Sequence, residues 1–251
     1  MMQMNKEAEW LLKEKYDGAE SDAYRADLKR LEEGEPVDYV IGFSKFLGCT
    51  IDLSKRTLIP RTETEYWVEK AILEIKETFG EKPIRCLDVF SGSGCIGIAV
   101  LSKLPNTTMD FADIEENALT QIQINTEINN IDSSRYAIYK SDVFEGLPPD
   151  KKYDVIFANP PYIKDPKRVD KSVLDYEPHT ALFSPEDGYL HIKKTIEGAK
   201  KLLTPGGCLY LEFDDIQKEA LEEFLTKEGT TEYVCNKDQF GLWRWVRICH
   251  K

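Results

Sequence analysis

The spacing of apolar residues changes along the chain. Up to residue 34 the spacing is helical, because Tyr24, Leu28 and Leu31 recur four and then three positions apart. Further on, Tyr39 and Phe43 belong to a run with apolar residues at every second position, a spacing that is typical of a strand. The pattern therefore predicts a short N-terminal helical region followed by a β-hairpin.

Apolar runs alternate with helical stretches after residue 84. Strands are predicted near 84–90, 108–113, 135–140, 153–158, 207–213, 231–235 and 243–249. Helices are predicted near 96–103, 115–129, 187–203 and 214–227. This alternation predicts an α/β fold with a mostly parallel, seven-stranded sheet covered by helices on both faces. The short loop between the last two strands favours an antiparallel pair at one edge.

The three predicted parts are a helical docking region at 1–36, a β-hairpin linker at 37–60 and a large domain at 61–251. The large domain is expected to begin with a helix, because Thr62 and Glu65 have the S/T-x-x-E spacing of a capping box. Pro60 and Arg61 directly precede that helix and are well placed to line a pocket. The helix is predicted to bury Trp67, Val68, Ala71, Ile72 and Ile75.

Composition narrows the classes of function. The 251 residues are 41% hydrophobic, yet no apolar run reaches membrane-spanning length. The N-terminus does not resemble a targeting peptide, so we expect a cytoplasmic protein without membrane contact. A net charge of −12 disfavours a long contact with nucleic acid. The six cysteines form no C-x-x-C pair, so we expect no metal site and mostly buried thiols.

A glycine-rich turn follows the first predicted strand of the large domain. Its residues are Phe90, Ser91, Gly92, Ser93 and Gly94. Glycine permits the tight turn and close backbone approach that a bound nucleoside requires. Asp113 ends the next strand, where a carboxylate can accept hydrogen bonds from ribose hydroxyls.

The turn does not suit a dinucleotide. Phe90 stands where a first glycine would be needed, and the nearby Asp88 would repel a pyrophosphate. A cofactor with an ammonium group and no phosphate fits better, and S-adenosylmethionine is such a cofactor. We expect Asp88 to orient the loop or to reach the ammonium through water. Asp142 and Val143, after the third strand, are expected to contact the adenine.

The residues Asn159, Pro160, Pro161 and Tyr162 follow the fourth strand. Two prolines stiffen this turn, the Asn159 amide offers both an acceptor and donors, and Tyr162 offers a flat face. The combination suits a planar group bearing an NH2, although a plain turn that ends a strand is the structural alternative. Because these residues and the cofactor-binding residues all follow strands of a parallel sheet, they are predicted to meet in one crevice. This predicts a class I, Rossmann-like, S-adenosylmethionine-dependent methyltransferase.

The sequence resembles the HemK-type protein-glutamine methyltransferases. The matching stretches are 35–42, 59–65, 88–94, 159–162, 177–183, 186–188 and 238–241. The resemblance implies methylation of the side-chain amide of the glutamine in the Gly-Gly-Gln motif of peptide chain release factors. It also implies that Asn159 contacts both cofactor and substrate, that Asn159, Pro160 and Tyr162 are catalytic, and that residues 159–162, including Pro161, hold the glutamine amide. Pro60 and Arg61 are expected to bind the substrate as well. The N-terminal region is shorter than is usual in that family.

Three other functions are compatible with parts of this pattern. An adenine-N6 methyltransferase of DNA or RNA shares the Asn-Pro-Pro-Tyr turn, but the acidic charge argues against it. A methyltransferase of a ribosomal-protein glutamine matches less well at residues 59–61. A non-catalytic nucleoside-binding protein would have no need for Asn159. We therefore expect a monomeric enzyme that acts on a release factor without stable binding to nucleic acid.

Overall fold

The computed structural model describes residues 2–250, and their side chains except those of residues 2–5 and 187. Met1 and Lys251, the outer ends of the first and last predicted domains, lie outside the described residues. The chain begins with helices α1 (Met2–Tyr16), α2 (Asp22–Glu32) and α3 (Val37–Ile41). They share a small apolar cluster of Leu11, Tyr24, Leu31, Val37, Val40 and Ile41.

Helix α3 corrects the sequence-based prediction, which placed Tyr39 and Ile41 in a strand. Val37, Val40 and Ile41 are all buried in the N-terminal cluster, and their three-and-four spacing is that of one helical face. Gly42 ends the helix with a φ of 101°, a conformation that glycine adopts without steric cost. Over so short a stretch, the same apolar residues satisfy both a helical and an alternating pattern.

The hairpin follows as β1 (Phe43–Phe46) and β2 (Cys49–Asp52), which pair antiparallel. Strand β2 is held by side-chain amides from one helix of the large domain and from the residue that caps its C-terminus. Asn129 Oδ1 accepts from Thr50 N at 3.0 Å, and Asn125 Oδ1 accepts from Asp52 N at 2.7 Å. Asn125 Nδ2 also donates to Ser93 O at 2.9 Å. The hairpin and the glycine-rich turn are therefore fixed to the same side chain.

Helix α4 (Thr62–Phe79) begins where the sequence predicts and buries the predicted face. The capping-box prediction is wrong, because Arg61 is the N-cap and makes no side-chain capping bond. Glu65 Oε1 instead accepts from Leu47 N at 2.6 Å, and the Thr62 hydroxyl is directed to Glu63. Glu65 thus ties the helix to the hairpin turn.

The seven-stranded, mostly parallel sheet is confirmed, with order β5-β4-β3-β6-β7-β9-β8. Within this sheet, only the described pairs that involve β9 are antiparallel. The strands are β3 (Ile84–Val89), β4 (Thr107–Asp113), β5 (Tyr136–Lys140), β6 (Tyr153–Ala158), β7 (Leu203–Glu212), β8 (Tyr233–Lys237) and β9 (Trp243–Cys249). The further helices are α5 (Cys95–Lys103), α6 (Glu116–Ile128), α7 (Lys171–Tyr176), α8 (Pro185–Gly188), α9 (Leu190–Leu202) and α10 (Lys218–Lys227).

Two apolar clusters hold the layers together. One joins the sheet to α4, α5 and the hairpin, and the other joins it to α9 and α10. Strand order reverses between β3 and β6, because β4 and β5 lie on one side of β3 and β6 lies on the other. In a doubly wound sheet, the crevice at the carboxyl ends of such strands is where ligands bind.

The cysteines only partly follow the expectation of buried thiols. Cys49, Cys86 and Cys95 are buried free thiols, and Cys235 is a half-buried free thiol. Cys208 and Cys249 instead form a disulfide between β7 and β9, where they face each other in the antiparallel register. Strand pairing across 41 residues of sequence brings them together.

Among the described residues, no helix combines the length and apolarity needed to cross a bilayer.

Candidate active site

The glycine-rich turn crosses the carboxyl end of β3 and is fixed to β4. Phe90 and Gly92 have φ values of 59° and 52°, so the turn uses left-handed backbone, which is strained for a phenylalanine. Ser91 N donates to Ala112 O at 3.2 Å, and the Ser91 hydroxyl accepts from Ala112 N at 3.0 Å. The loop therefore enters the site in one defined conformation, with phenylalanine in the position of a usual glycine.

Asp113 lies at the predicted place beside this turn. Its Oδ2 accepts from Gly92 N at 2.8 Å and its Oδ1 accepts from Glu115 N at 3.0 Å. Burial raises the pKa of this carboxyl, while the backbone donors oppose that rise. Each carboxylate oxygen has a further lone pair, so Asp113 can hold two ribose hydroxyls while it holds the loop.

Asp88 is fully buried behind the turn. Its Oδ2 accepts from Gly97 N at 2.9 Å, which fixes the first turn of α5. Burial raises its pKa well above the usual value, and its Oδ1 has no hydrogen-bond partner among the described residues. Asp88 thereby anchors the helix that follows the turn, and its role in orienting the turn itself stays a prediction. The free oxygen is also suited to a water that reaches an ammonium group.

A cavity lies between the turn and the linker, and we call it the loop cavity. It is lined by the predicted residues Phe90, Ser91, Gly92, Ser93, Asp113, Pro60, Arg61, Asn159 and Pro161, and by others that include Arg56, Thr64, Ile114, Asn117, Ala118 and Thr180. The wall is mostly apolar and also carries Asp113, Glu115, Arg56 and Arg61, so it can enclose a nucleoside beside a strand-end carboxylate. The other predicted cofactor-binding residues, Asp88, Gly94, Asp142 and Val143, lie outside this lining, and their contacts with the cofactor stay predictions.

A second cavity adjoins the loop cavity. We call residues 159–162 the clamp and this second space the clamp cavity. Its lining residues include Pro160, Tyr162, Ile163, Arg168, Asp170, Val173, Leu182 and Glu212. Asn159, Arg61, Leu58 and Ala181 line both cavities. Asn159 thus lies at the junction of two adjoining spaces, one beside the glycine-rich turn and one beside Pro160 and Tyr162.

The Asn159 and Tyr162 side chains are both hydrogen bonded to a network behind the clamp cavity. Asn159 Nδ2 donates to Thr64 Oγ1 at 3.3 Å, and Tyr162 OH donates to Glu212 Oε1 at 3.0 Å. Burial, together with the nearby Glu212 charge, raises the pKa of Tyr162 well above its usual value. Tyr162 therefore stays protonated and does not act as a base.

Arg61 and the segment that follows the clamp form a wall shared by both cavities. Arg61 Nη2 lies 2.6 Å from Glu177 Oε1, and Ile59 N donates to Glu177 Oε2 at 3.1 Å. The Glu177 side chain is fully buried. Arg61 is thus held by an internal ion pair at the junction of the cavities, and its contact with substrate stays a prediction.

Comparison with known proteins places this site in a family. A model of the methyltransferase small domain matches residues 73–176. A release factor glutamine methyltransferase from Flavobacterium psychrophilum is 33% identical over 224 residues, 88% of this chain and 78% of its own. The enzyme of that name from Lactococcus lactis is 32% identical over 95% of this chain and 86% of its own. The chain belongs to the release factor glutamine methyltransferase family.

Solved structures agree on the fold. A ribosomal protein L11 methylase from Lactobacillus delbrueckii superposes with a TM-score of 0.52 at 20% identity, over 79% of this chain and 83% of its own. The N-terminal domain of human METTL16 in complex with SAH has a TM-score of 0.58 at 19% identity, over 81% of this chain and 76% of its own. Both predictions, the methyltransferase fold and the family, are confirmed.

Two residues behind Asn159 and Tyr162 are not predicted as site residues from the sequence. They are Thr64 in α4 and Glu212 at the end of β7. They meet the clamp because α4 and β7 converge there, 148 positions apart along the chain. The sequence does contain one signal for Glu212, because it is a charged residue at the end of an apolar strand. A buried carboxylate needs hydrogen-bond donors around it, and such a cluster often belongs to a site.

Proposed function

We propose that this protein transfers a methyl group from S-adenosylmethionine to the side-chain amide nitrogen of the glutamine in the Gly-Gly-Gln motif of a peptide chain release factor. The observation that carries this proposal is the position of Asn159 at the junction of the two cavities. The loop cavity has the strand-end carboxylate and glycine-rich turn that suit the cofactor. The clamp cavity is lined by Pro160 and Tyr162, whose carbonyl group and aromatic ring are of the kinds that suit a planar amide.

When bound, the cofactor supplies an electrophilic methyl group. Phe90 to Gly94 would hold it, with Asp113 accepting from the ribose and Asp88 reaching the ammonium through water. Asp142 and Val143 would contact the adenine. The unpartnered oxygen of Asp88 and the apolar wall beside Asp113 support this fit.

The chain's own contribution is orientation of a weak nucleophile. An amide nitrogen has a delocalised lone pair, so it reacts only when it is aligned and when its developing positive charge is stabilised. Asn159 Oδ1 and the Pro160 carbonyl are the acceptors for its two N–H groups. Tyr162 and Pro161 restrict the amide plane. Such alignment lowers a barrier by about 7–11 kcal/mol at best.

No catalytic acid or base is proposed for this reaction. Glu212 is the buried carboxylate nearest the clamp, but both of its oxygens already accept hydrogen bonds from Thr64, Trp67 and Tyr162. After transfer, the alkylated nitrogen is acidic enough to lose its proton to water. We therefore expect Asn159→Ala to lower kcat by roughly 10²-fold or more, whereas a loss of less than about twofold would contradict the mechanism.

The test is methyl transfer from labelled S-adenosylmethionine to three acceptors. These are a release factor, the same factor with the glutamine of Gly-Gly-Gln changed to alanine, and adenine-containing DNA. We expect label only on the unchanged release factor. Label on DNA would favour the adenine-N6 alternative, and label that survives the alanine change would exclude this glutamine as the acceptor. A ribosomal-protein fraction in a fourth tube tests the remaining glutamine alternative.

The net charge of −12 supports a protein substrate without stable binding to nucleic acid. We propose that the region 1–36 docks the release factor, that 37–60 links it to the catalytic domain 61–251, and that Pro60 and Arg61 contact the substrate. We also propose that the enzyme acts as a monomer in the cytoplasm, where peptide release occurs. Light scattering of the purified protein, alone and with a release factor, tests the monomer and its complex.

A further inference from the structure

A buried carboxylate lies behind the clamp. Glu212 ends β7 with only 1% of its surface exposed. Its Oε2 accepts from Thr64 Oγ1 at 2.7 Å and from Trp67 Nε1 at 2.6 Å, and its Oε1 accepts from Tyr162 OH at 3.0 Å. Three donors therefore meet one carboxylate. Burial raises the pKa of Glu212, and these donors and the nearby Arg244 charge oppose that rise.

The chemistry of these groups fixes the direction of each hydrogen bond. The indole N–H of Trp67 can only donate, so Oε2 of Glu212 is an acceptor. Because Oε2 is already the acceptor for this N–H, the single hydroxyl hydrogen of Thr64 also points to Oε2, at 2.7 Å. Thr64 Oγ1 is then left with lone pairs only, and it lies 3.3 Å from the Asn159 amide nitrogen. Asn159 must turn its NH2 toward Thr64.

That orientation decides what Asn159 offers to a ligand. With its NH2 held by Thr64, the amide presents Oδ1 as the free end, and Oδ1 can only accept. The opposite orientation would present two donors, and these would repel the N–H groups of a substrate amide. Asn and Gln amides have no intrinsic preference between the two orientations, so a neighbouring group must set it.

We propose that Glu212, acting through Thr64, is the positioning residue that turns the Asn159 oxygen toward the methyl-accepting nitrogen. The same carboxylate anchors Tyr162 through its other oxygen, so one buried group orients both clamp side chains. This inference rests on the proposed function for its catalytic consequence. The orientation itself follows from the hydrogen bonds alone.

The test uses two substitutions at Thr64. Thr64→Val keeps the shape of the side chain and removes its oxygen, whereas Thr64→Ser keeps the oxygen and removes a methyl group. We expect Thr64→Val to lower kcat for release-factor methylation by about tenfold or more, the loss of one buried acceptor. We expect Thr64→Ser to stay within about threefold of wild type, and the KM for S-adenosylmethionine to stay within about threefold in both.

A matched control is Thr195→Val. Thr195 is fully buried in α9, and its hydroxyl donates to His191 O at 2.7 Å, away from both cavities. This variant suffers the same chemical change and should keep wild-type kcat. Equal activity of the Val and Ser variants at position 64, or greater loss in the Ser variant, would show that Thr64 acts by packing and would overturn the proposal.

A second readout needs no methyl acceptor. In ¹⁵N-edited NMR spectra, the side-chain NH2 of Asn159, identified by its loss in Asn159→Ala, should exchange slowly with solvent in wild type and in Thr64→Ser. It should exchange rapidly in Thr64→Val. Fast exchange in the wild-type protein would refute the assigned orientation. If wild type fails to methylate a release factor while this NH2 is protected, the proposed function fails and the orientation stands.

Two substitutions at Glu212 test the carboxylate itself. Glu212→Gln should keep the protection of the Asn159 NH2, because Trp67 holds the amide oxygen of Gln at the Oε2 position, beside Thr64. Glu212→Leu removes both acceptors, frees the Thr64 hydroxyl to rotate and should lose the protection. Protection that survives in Glu212→Leu would overturn the assignment to Glu212. The substitutions at Thr64 keep the test decisive if this variant fails to fold.

Discussion

The ion pair between Arg61 and Glu177 provides a quantitative test of how the site is closed. Glu177 is fully buried, and the donors to its carboxylate among the described residues are Arg61 Nη2 at 2.6 Å and Ile59 N at 3.1 Å. Arg61 is about a third exposed, at 33% of its side-chain surface. The pair joins the linker before α4 to the segment that follows the clamp. Both segments line the two cavities, so the pair holds the shared wall in place.

Arg61→Met leaves the buried Glu177 carboxylate with one backbone N–H. Breaking a fully buried pair in this way costs about 3–5 kcal/mol. Water reaches the exposed side of Arg61, and that screening reduces our expectation to about 2–3 kcal/mol. Glu177→Gln leaves a guanidinium that water can solvate, so we expect a smaller loss of about 1–2 kcal/mol. For a chain of this size, each kcal/mol corresponds to roughly 2–4 °C in Tm.

The assay is a double-mutant cycle on urea unfolding, with wild type, the two single variants and Arg61→Met/Glu177→Gln. We expect the double variant to be more stable than Arg61→Met alone, because it contains no unpaired buried charge. The resulting coupling should be about 1–2 kcal/mol. Single-variant losses that add to within about 0.5 kcal/mol would show that the pair does not hold the wall and would refute this reasoning.

Three further predictions concern the cofactor loop, its packing and the N-terminal region. Asp113→Asn replaces one of two acceptors with a donor and should weaken S-adenosylmethionine binding by about tenfold or more, as measured by calorimetry; unchanged affinity would exclude a ribose contact. Gly97→Ala would place its Cβ 2.2 Å from the Phe111 ring, so we expect a loss of about 1–3 kcal/mol in urea unfolding, and an unchanged midpoint would contradict the close packing. Hydrogen bonds from Arg30 lower the pKa of Glu35 below its ordinary 4.5, so its stabilisation is complete above pH 4.5 and is lost as the pH falls through the lower folded pKa. The stability difference between wild type and Glu35→Gln should therefore shrink below pH 4.5, and a difference that grows there would have the wrong sign.

The sequence could predict the sheet because its strands are short apolar runs with clear breaks. Phe90, Asp113 and Asn159 each follow such a run, and parallel pairing brings those strand ends to one edge. Their meeting at one cavity could therefore be predicted without coordinates. The family resemblance then supplied the substrate, which the local chemistry of the clamp does not distinguish from an adenine.

Other features depend on contacts that a local pattern does not encode. Tyr39 and Ile41 fit an alternating pattern, yet packing of the N-terminal cluster favours a helix there. Glu65 has capping spacing but is engaged by the hairpin turn, a tertiary contact across 18 positions. Glu212 and Thr64 come together at the site only because β7 and α4 converge in the folded structure. Side-chain direction at these positions is set by the folded core and not by the order of residues.

The central claim is that the methyl group reaches one glutamine nitrogen. The most direct measurement is peptide mapping by mass spectrometry of a release factor after incubation with the protein and S-adenosylmethionine. We predict that the peptide containing Gly-Gly-Gln gains the mass of one methyl group, that fragmentation places it on the glutamine side chain, and that Asn159→Ala protein leaves this peptide unmodified. A methyl group on any other residue, or an unmodified peptide with active wild-type protein and saturating cofactor, would contradict the account.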